Sequence, residues 1–188
     1  LPNDHGFDAY EGIPYSNDMW APYDPATKIW KKFKDWQAPL PWIRDGKSVA
    51  VVKNATDQSL LTHATTKAAM KFIRKQGGKK EPFFAYLPYA AVHLPRVGHP
   101  DFLPAGAPPS EANKTGAELT VHLTAQIEEL DAAVGKVFGA LKELGVENNT
   151  IFIFMSDNGG SRGTSMGPLK GGKGSLFEGG PRTPFLIH

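Results

Sequence analysis

The chain is 188 residues long, 40% hydrophobic and 21% charged, and its 21 basic against 19 acidic residues leave a formal net charge of +2. That length suffices for one ordinary domain with a buried core, and the mixed signs argue against a nucleic-acid surface. The absence of cysteine excludes disulfides, a thiolate nucleophile and zinc–thiolate sites, and no run of about 18 apolar residues exists to span a membrane.

Residues 1–6 have neither the charged start nor the apolar middle of a signal peptide, so the chain reads as mature, trimmed or cut from something longer. Residues 1–56 read as irregular. Pro14, Pro22, Pro25, Pro39 and Pro41, with Trp20, Trp30, Trp36 and Trp42, mark a loop-rich stretch anchored by large aromatics. Within it a short hairpin is expected: Trp42–Arg44 and Val49–Val52, turning at Asp45-Gly46. From Asp57, expected to cap the amino end, Leu60, Leu61, Ala64, Ala68 and Phe72 fall near helical spacing until Gly77-Gly78 stops the run.

Phe83–Tyr89 reads as a buried strand ending near His93. The segment from Pro95 to Asn113 holds five prolines and is expected to be a functional loop. Leu119, Leu123, Ile127, Leu130, Val134, Val137, Phe138, Leu141 and Leu144 then step by threes and fours, predicting a long helix that ends at Gly145. Thr150–Met155 is uncharged and apolar, the pattern of a strand buried on both faces of a parallel sheet. Thr183–His188 begins another. Strand, loop, long helix and strand make a crossover unit, whose two strand ends, at His93 and at Asp157-Asn158, are expected on one edge.

Four side chains then stand out. Asp157 and Asn158 follow the apolar strand, where an open α/β sheet places its ligands, and offer hard oxygens suited to Ca²⁺ or Mg²⁺; the same residues with Gly159 also make an ordinary turn. Lys173, within Gly171–Gly174, reads either as a point charge beside anion-binding backbone or as part of a surface loop. A P-loop is excluded by context, because Gly174 stands where Ser or Thr is required and no helix can follow through Glu178–Pro181. His93 has the chemistry of an acid or of an anion's hydrogen-bond donor, although a lone histidine beside an apolar run is more often structural. His63 and His122 lie on predicted helices, at the surface or as satisfied core residues. Arg162 and Arg182 flank the glycine-rich loop. Asn54, Asn113 and Asn148 begin sequons that permit glycosylation in a secreting eukaryote.

Taken together, five segments resemble the sulfatase family of the alkaline-phosphatase superfamily, closest to the arylsulfatase type. They are Gly6–Asp8 through Gly12–Met19, Pro82–Tyr86 through His93–Pro95, Glu129–Gly135, Ser156–Gly159, and Gly172–Gly174 through Glu178–Arg182. The resemblance implies an α/β sandwich with a mostly parallel central sheet flanked by helices, incomplete here. On this reading residues 1–188 are the middle-to-late part of a catalytic domain, without its N-terminal strands, its nucleophile and the small C-terminal domain. It implies Ca²⁺-assisted hydrolysis of a sulfate monoester, with Asp157 and Asn158 as metal ligands, Lys173 holding the sulfate, and His93 contacting sulfate and ester oxygen as the acid.

Family members carry a formylglycine made from Cys or Ser in a Cys/Ser-x-Pro/Ala-x-Arg motif, and no such motif occurs here. The isolated chain is therefore expected to be inactive. The resemblance implies a sulfated small molecule or glycan as partner, no nucleic acid, no transmembrane segment, and a secreted, periplasmic or lysosomal setting; oligomeric state is not legible. Two other readings stay open: a phosphodiesterase or phosphonate hydrolase of the same superfamily, and a non-catalytic module that binds sulfated glycans.

Overall fold

In the computed structural model, residues 1–19, 40–107, 116–161 and 164–188 are described, with the backbone alone for 116–119. Trp20, Trp30, Trp36 and Arg162 therefore lie outside the described residues. The chain divides into two units, Leu1–Leu144 and Gly145–His188, each described by itself.

The first unit begins with a three-stranded antiparallel sheet in the order β1 (Glu11–Gly12), β2 (Leu40–Arg44), β3 (Lys47–Val52). The expected hairpin is present. Asp45 and Gly46 both take positive φ, 44° and 79°, as a two-residue turn with the twist of the flanking strands requires. Glu11 ties β1 to β2, accepting hydrogen bonds from Arg44 Nη2 at 2.7 Å and Trp42 Nε1 at 3.3 Å. The arginine, as the closest donor, holds the Glu11 carboxyl below the usual carboxylate range, against the opposing effect of burial. Leu40, Trp42 and Val52 form a core cluster with Leu61.

Helix α1 (Ala55–Ser59) leads into α2 (Leu61–Gln76) through Leu60. Asp57 is not the cap. Asn54 is, its Oδ1 accepting from Asp57 N at 2.9 Å, while the Asp57 carboxylate reaches back to Lys53 N at 2.9 Å. Asp57 thus occupies the third helical position, and its carboxylate reaches the residue before the cap and not, as in a capping box, the cap's own amide. The buried face of α2 is also rotated from the expected stripe: Leu61, Thr62, Thr66, Ala69 and Ile73 turn inward, and Leu60 is exposed. Thr62 and Thr66 are tolerated inside because Thr66 Oγ1 bonds to Thr62 O at 2.7 Å and to the Tyr89 hydroxyl at 3.2 Å. Gly77 ends α2 with an ordinary φ of −64°. A Cβ there would come within 2.7 Å of Leu144 Cδ1, so glycine serves close packing at this helix end and not a left-handed cap.

Helix α3 (Gly116–Glu143) is the long helix expected, and Gly145 follows it with a left-handed φ of 68°. Leu123, Val137 and Leu141 are buried as predicted, but Ile127 is exposed, and the buried face is completed by alanines and by His122, Gln126 and Glu129. Arg74 pairs with Glu143 at 3.2 Å near the carboxyl ends of α2 and α3, and the His63 amide lies against Glu129 nearer their starts. The two helices therefore run in the same direction, the arrangement a crossover connection produces.

Phe83–Tyr89 departs from expectation. It is extended but pairs with no strand among the described residues, and it is not buried on both faces: Phe84 is 72% and Tyr86 68% exposed. The alternate residues lie inward, Phe83 edge-on to Phe72 with centroids 5.9 Å apart. In the proline-rich stretch that follows, Arg96, Val97 and Gly98 are buried, and Gly98 N–H donates to His122 Nδ1 at 3.1 Å. His122 is thus a core histidine with a backbone partner.

In the second unit, β4 (Ile153–Met155) pairs antiparallel with β5 (Phe185–Ile187), Phe154 opposite Leu186. The strand at residues 183–188 is borne out, but burial of β4 on both faces in a parallel sheet is not: Ile153 is 50% and Met155 57% exposed. A two-stranded ribbon has no layer to cover either face. Among the described residues both sheets are small and antiparallel, and the mostly parallel central sheet is not seen.

Candidate functional site

Beyond β4 the chain passes from Asp157-Asn158 into three glycine pairs, Gly159-Gly160, Gly171-Gly172 and Gly179-Gly180, and these pairs pack backbone against backbone. Gly159 N–H donates to Gly180 O at 2.7 Å, Lys173 N–H to Gly160 O at 2.9 Å, and Gly179 N–H to Lys170 O at 2.8 Å. No side chain fits between them. A Cβ on Gly159 would stand 1.7 Å from Gly179 O, one on Gly172 2.6 Å from Gly160 O, and one on Gly180 2.0 Å from Ser175 O. Close backbone approach in this knot thus requires glycine at positions 159, 172, 179 and 180, and it brings the backbone of Lys173 alongside the residues that follow Asp157 and Asn158.

Asp157 is exposed and Asn158 half-buried. Asn158 Nδ2 donates to Asp157 Oδ2 at 2.5 Å, and Ser156 Oγ donates to Asn158 O at 3.0 Å. The first bond commits the amide nitrogen, so Asn158 Oδ1 and Asp157 Oδ1 are the oxygens left to face a cation. As a donor set they suit Ca²⁺ or Mg²⁺ in kind; in number they fall short of the six to eight oxygens Ca²⁺ takes. Among the described residues no group of three or more His, Asp or Glu side chains is placed to hold a metal.

Lys173 is exposed, and among the described residues no carboxylate pairs with it. The neighbouring Lys170 is otherwise engaged, its Nζ lying 4.0 Å from the Phe177 ring centroid. Arg182, a candidate for anion binding, is paired instead with Glu178 at 2.9 Å, one helical turn away. His93 belongs to the first unit, where it is half-buried, with Nδ1 2.8 Å from Leu94 O. A carbonyl can only accept, so Nδ1 carries the proton. Nε2 is then the atom free for chemistry: a lone pair in the neutral ring, a donor once the ring is charged.

Sequence reasoning passed over a second polar cluster. Between α2, α3 and the short turn Pro100–Phe102 lies a cavity of about 340 Å³ lined by Thr62, Lys67, His99, Glu129 and Lys136 among others. Burial, the largest effect, pushes the Glu129 carboxyl up to about 7, against the lowering effects of Lys136 and the His63 amide. The available signal was the helical spacing that puts Glu129, Ala133 and Lys136 on one face of α3.

The Sulfatase family matches residues 2–188, and the chain belongs to that family. It is 32% identical to the N-acetylgalactosamine-6-sulfatase of Mus musculus over 192 residues, which covers 98% of this chain and 34% of the mouse protein. It is 34% identical over 163 residues to the N-acetylgalactosamine-6-O-sulfatase of Bacteroides thetaiotaomicron, covering 79% of this chain and 28% of that one. Among solved structures, Ps i-CgsB in complex with k-i-k-neocarrahexaose superposes with a TM-score of 0.71 at 32% identity, over 100% of this chain and 41% of the other. The PsFucS1 sulfatase from Pseudoalteromonas sp. gives 0.77 at 25% identity, over 100% and 39%. The fold is thus that of the sulfatases, and the chain spans about a third of the length of the curated relatives it matches.

Proposed function

We propose that these 188 residues are the middle-to-late part of the catalytic domain of a sulfuric ester hydrolase that removes sulfate from a saccharide. The observation that carries this reading is the glycine knot, which sets Lys173 beside the chain leaving Asp157 and Asn158, in a chain that matches the sulfatase family from end to end. The relatives support the substrate class: two are named for a sulfated amino sugar, and a structural neighbour was solved with a neocarrahexaose.

On this reading Asp157 and Asn158 would hold a calcium ion together with oxygens supplied from outside these residues, and the ion when bound would offset the charge on the sulfate oxygens. Lys173 holds the sulfate as a point charge. His93, its Nδ1–H anchored on Leu94 O, presents Nε2 to the ester oxygen and, starting as imidazolium, donates the Nε2 proton to that oxygen as the S–O bond breaks, leaving the alcohol and a neutral ring. The nucleophile, a formylglycine by family resemblance, is supplied outside the 188 residues.

The test is turnover of a nitrophenyl sulfate and of a 6-sulfated N-acetylgalactosamine by the full-length protein. Asp157→Ala and Lys173→Ala should each lower kcat/KM by on the order of 10²–10³, the usual loss for one electrostatic stabiliser. The 188-residue polypeptide should be inactive. Wild-type rates in Asp157→Ala, or hydrolysis of a phosphodiester in preference to the sulfate, would overturn the assignment.

A further inference from the structure

The cavity between α2 and α3 lies wholly within the first unit and shares no residue with the four assigned above. Its walls come from one stripe of each helix. His63, Lys67 and Arg74 recur at helical spacing along α2; Glu129, Ala133 and Lys136 do so along α3; His99 and Asp101 on the short turn close one end. Its lining mixes apolar groups, Met70, Phe102 and Ala133 among them, with the charged side chains of Lys67, Glu129 and Lys136. Glu129 is 6% exposed although it lines the cavity, and its carboxyl receives the His63 amide near the start of α2. The His63 and His99 rings stack with centroids 6.0 Å apart.

The charges in the groove are unbalanced. Lys67, Arg74 and Lys136 face Asp101 and Glu129. Arg74 is paired with Glu143 at 3.2 Å and Asp101 lies 3.6 Å from His99 Nδ1, whereas neither Lys67 nor Lys136 forms an ion pair among the described residues. A buried acid and two lysine ammonium groups line one cavity, Lys136 acting on the acid through its charge and Lys67 in no ion pair among the described residues, and the set suits a ligand that accepts from all three. A carboxyl that keeps its proton can donate to an anion; once ionised it repels one.

We propose that this groove is a second binding site, taking a sulfate group through Lys67 and Lys136 with the Glu129 carboxyl as a third donor. The sulfate is one carried on a saccharide, and binding it here would give the protein a preference for sulfated over desulfated chains. That choice of carrier rests on the sulfate-ester reading above; the oxyanion site itself does not. The groups facing Glu129 are His63, Lys67 and Arg74 from α2, His99 and Asp101 from the turn, and Lys136 from its own helix. Binding should therefore weaken as Glu129 loses its proton near neutrality, and a glutamine there should flatten that dependence.

The experiment is calorimetric titration of the full-length protein with sodium sulfate, with a disulfated trisaccharide and with its desulfated counterpart, at pH 6 and pH 8. Lys67→Gln/Lys136→Gln should lower affinity for the disulfated sugar about tenfold, as loss of charge-assisted hydrogen bonds predicts. Turnover of nitrophenyl sulfate should be unchanged. Glu129→Gln should abolish the difference between the two pH values. Free sulfate binding as tightly as the sugar would support the site and assign it to the free anion. Equal affinity of the double variant and the wild type, or equal affinity for the desulfated sugar, would overturn the proposal. Repeating the titration in Asp157→Ala separates the two readings, because groove binding persists there whether or not Asp157 serves catalysis.

Discussion

Gly159→Ala tests the packing on which the catalytic proposal stands. The added methyl would sit 1.7 Å from Gly179 O, 2.8 Å from Gly179 C and 3.1 Å from Gly180 O. All three neighbours are backbone, so none can rotate away, and relief needs a displacement comparable to the 1.7 Å separation itself. That movement pulls Gly159 N–H off Gly180 O, now 2.7 Å away. Overpacking of this kind costs about 1–3 kcal/mol, and the stranded amide about 1–3 kcal/mol more.

The cost falls on residues 157–182 and not on the helices. Native-state hydrogen exchange on the full-length protein should show the Gly159, Lys173 and Gly179 amides losing about 10²-fold of their protection, at 1.4 kcal/mol per tenfold, while α2 and α3 keep theirs. Sulfatase turnover should fall with it. Gly174→Ala is the control: its surroundings are open, and only its φ of +81° penalises a side chain, by about 1–2 kcal/mol. If Gly159→Ala retained wild-type protection and turnover, the knot would not be what positions Lys173 beside Asp157 and Asn158.

Glu129 sets a pH signature. Its carboxyl sits at about 7 in the folded chain against an ordinary 4.5, so between those values the folded state holds a proton that the unfolded state has released. The resulting stability is complete below the lower value and lost as pH rises through the upper one, about 3 kcal/mol in all; urea midpoints should fall accordingly from pH 5 to pH 8 in the wild type and lose that component in Glu129→Gln. At the start of α1, removing the Asn54 cap with Asn54→Ala should cost about 1 kcal/mol, read as a lowered Tm; an unchanged Tm would mean that Asp57 and Lys53 hold the turn without it.

Local signals made several elements legible from residue order alone. Asp45-Gly46 specified a two-residue turn because both positions require positive φ, and the three-and-four spacing from Leu119 to Leu144 specified α3 because one helical face must be apolar. Gly145 ended that helix as its freedom at positive φ predicts. The likeness to the sulfatases was likewise carried by short motifs, since glycines at close backbone approaches leave fixed spacings.

Pairing and burial were another matter. The apolar runs at Phe83–Tyr89 and Thr150–Met155 read as strands buried on both faces, yet periodicity says nothing of which neighbour covers a strand, and their alternate residues stand exposed. The inward face of α2 was misread for a related reason: Thr62 and Thr66 count as polar in a pattern but are satisfied inside by backbone and Tyr89. Glu129 stood out in sequence only as part of a family-like segment, and its shifted acidity comes from burial, which residue order does not show. Residue order thus determined the turns, the long helix and the donor types offered by Asp157, Asn158 and Lys173. Tertiary packing decided which faces are covered, which cations are committed, and that three glycine pairs meet, because each depends on atoms brought close from distant parts of the chain.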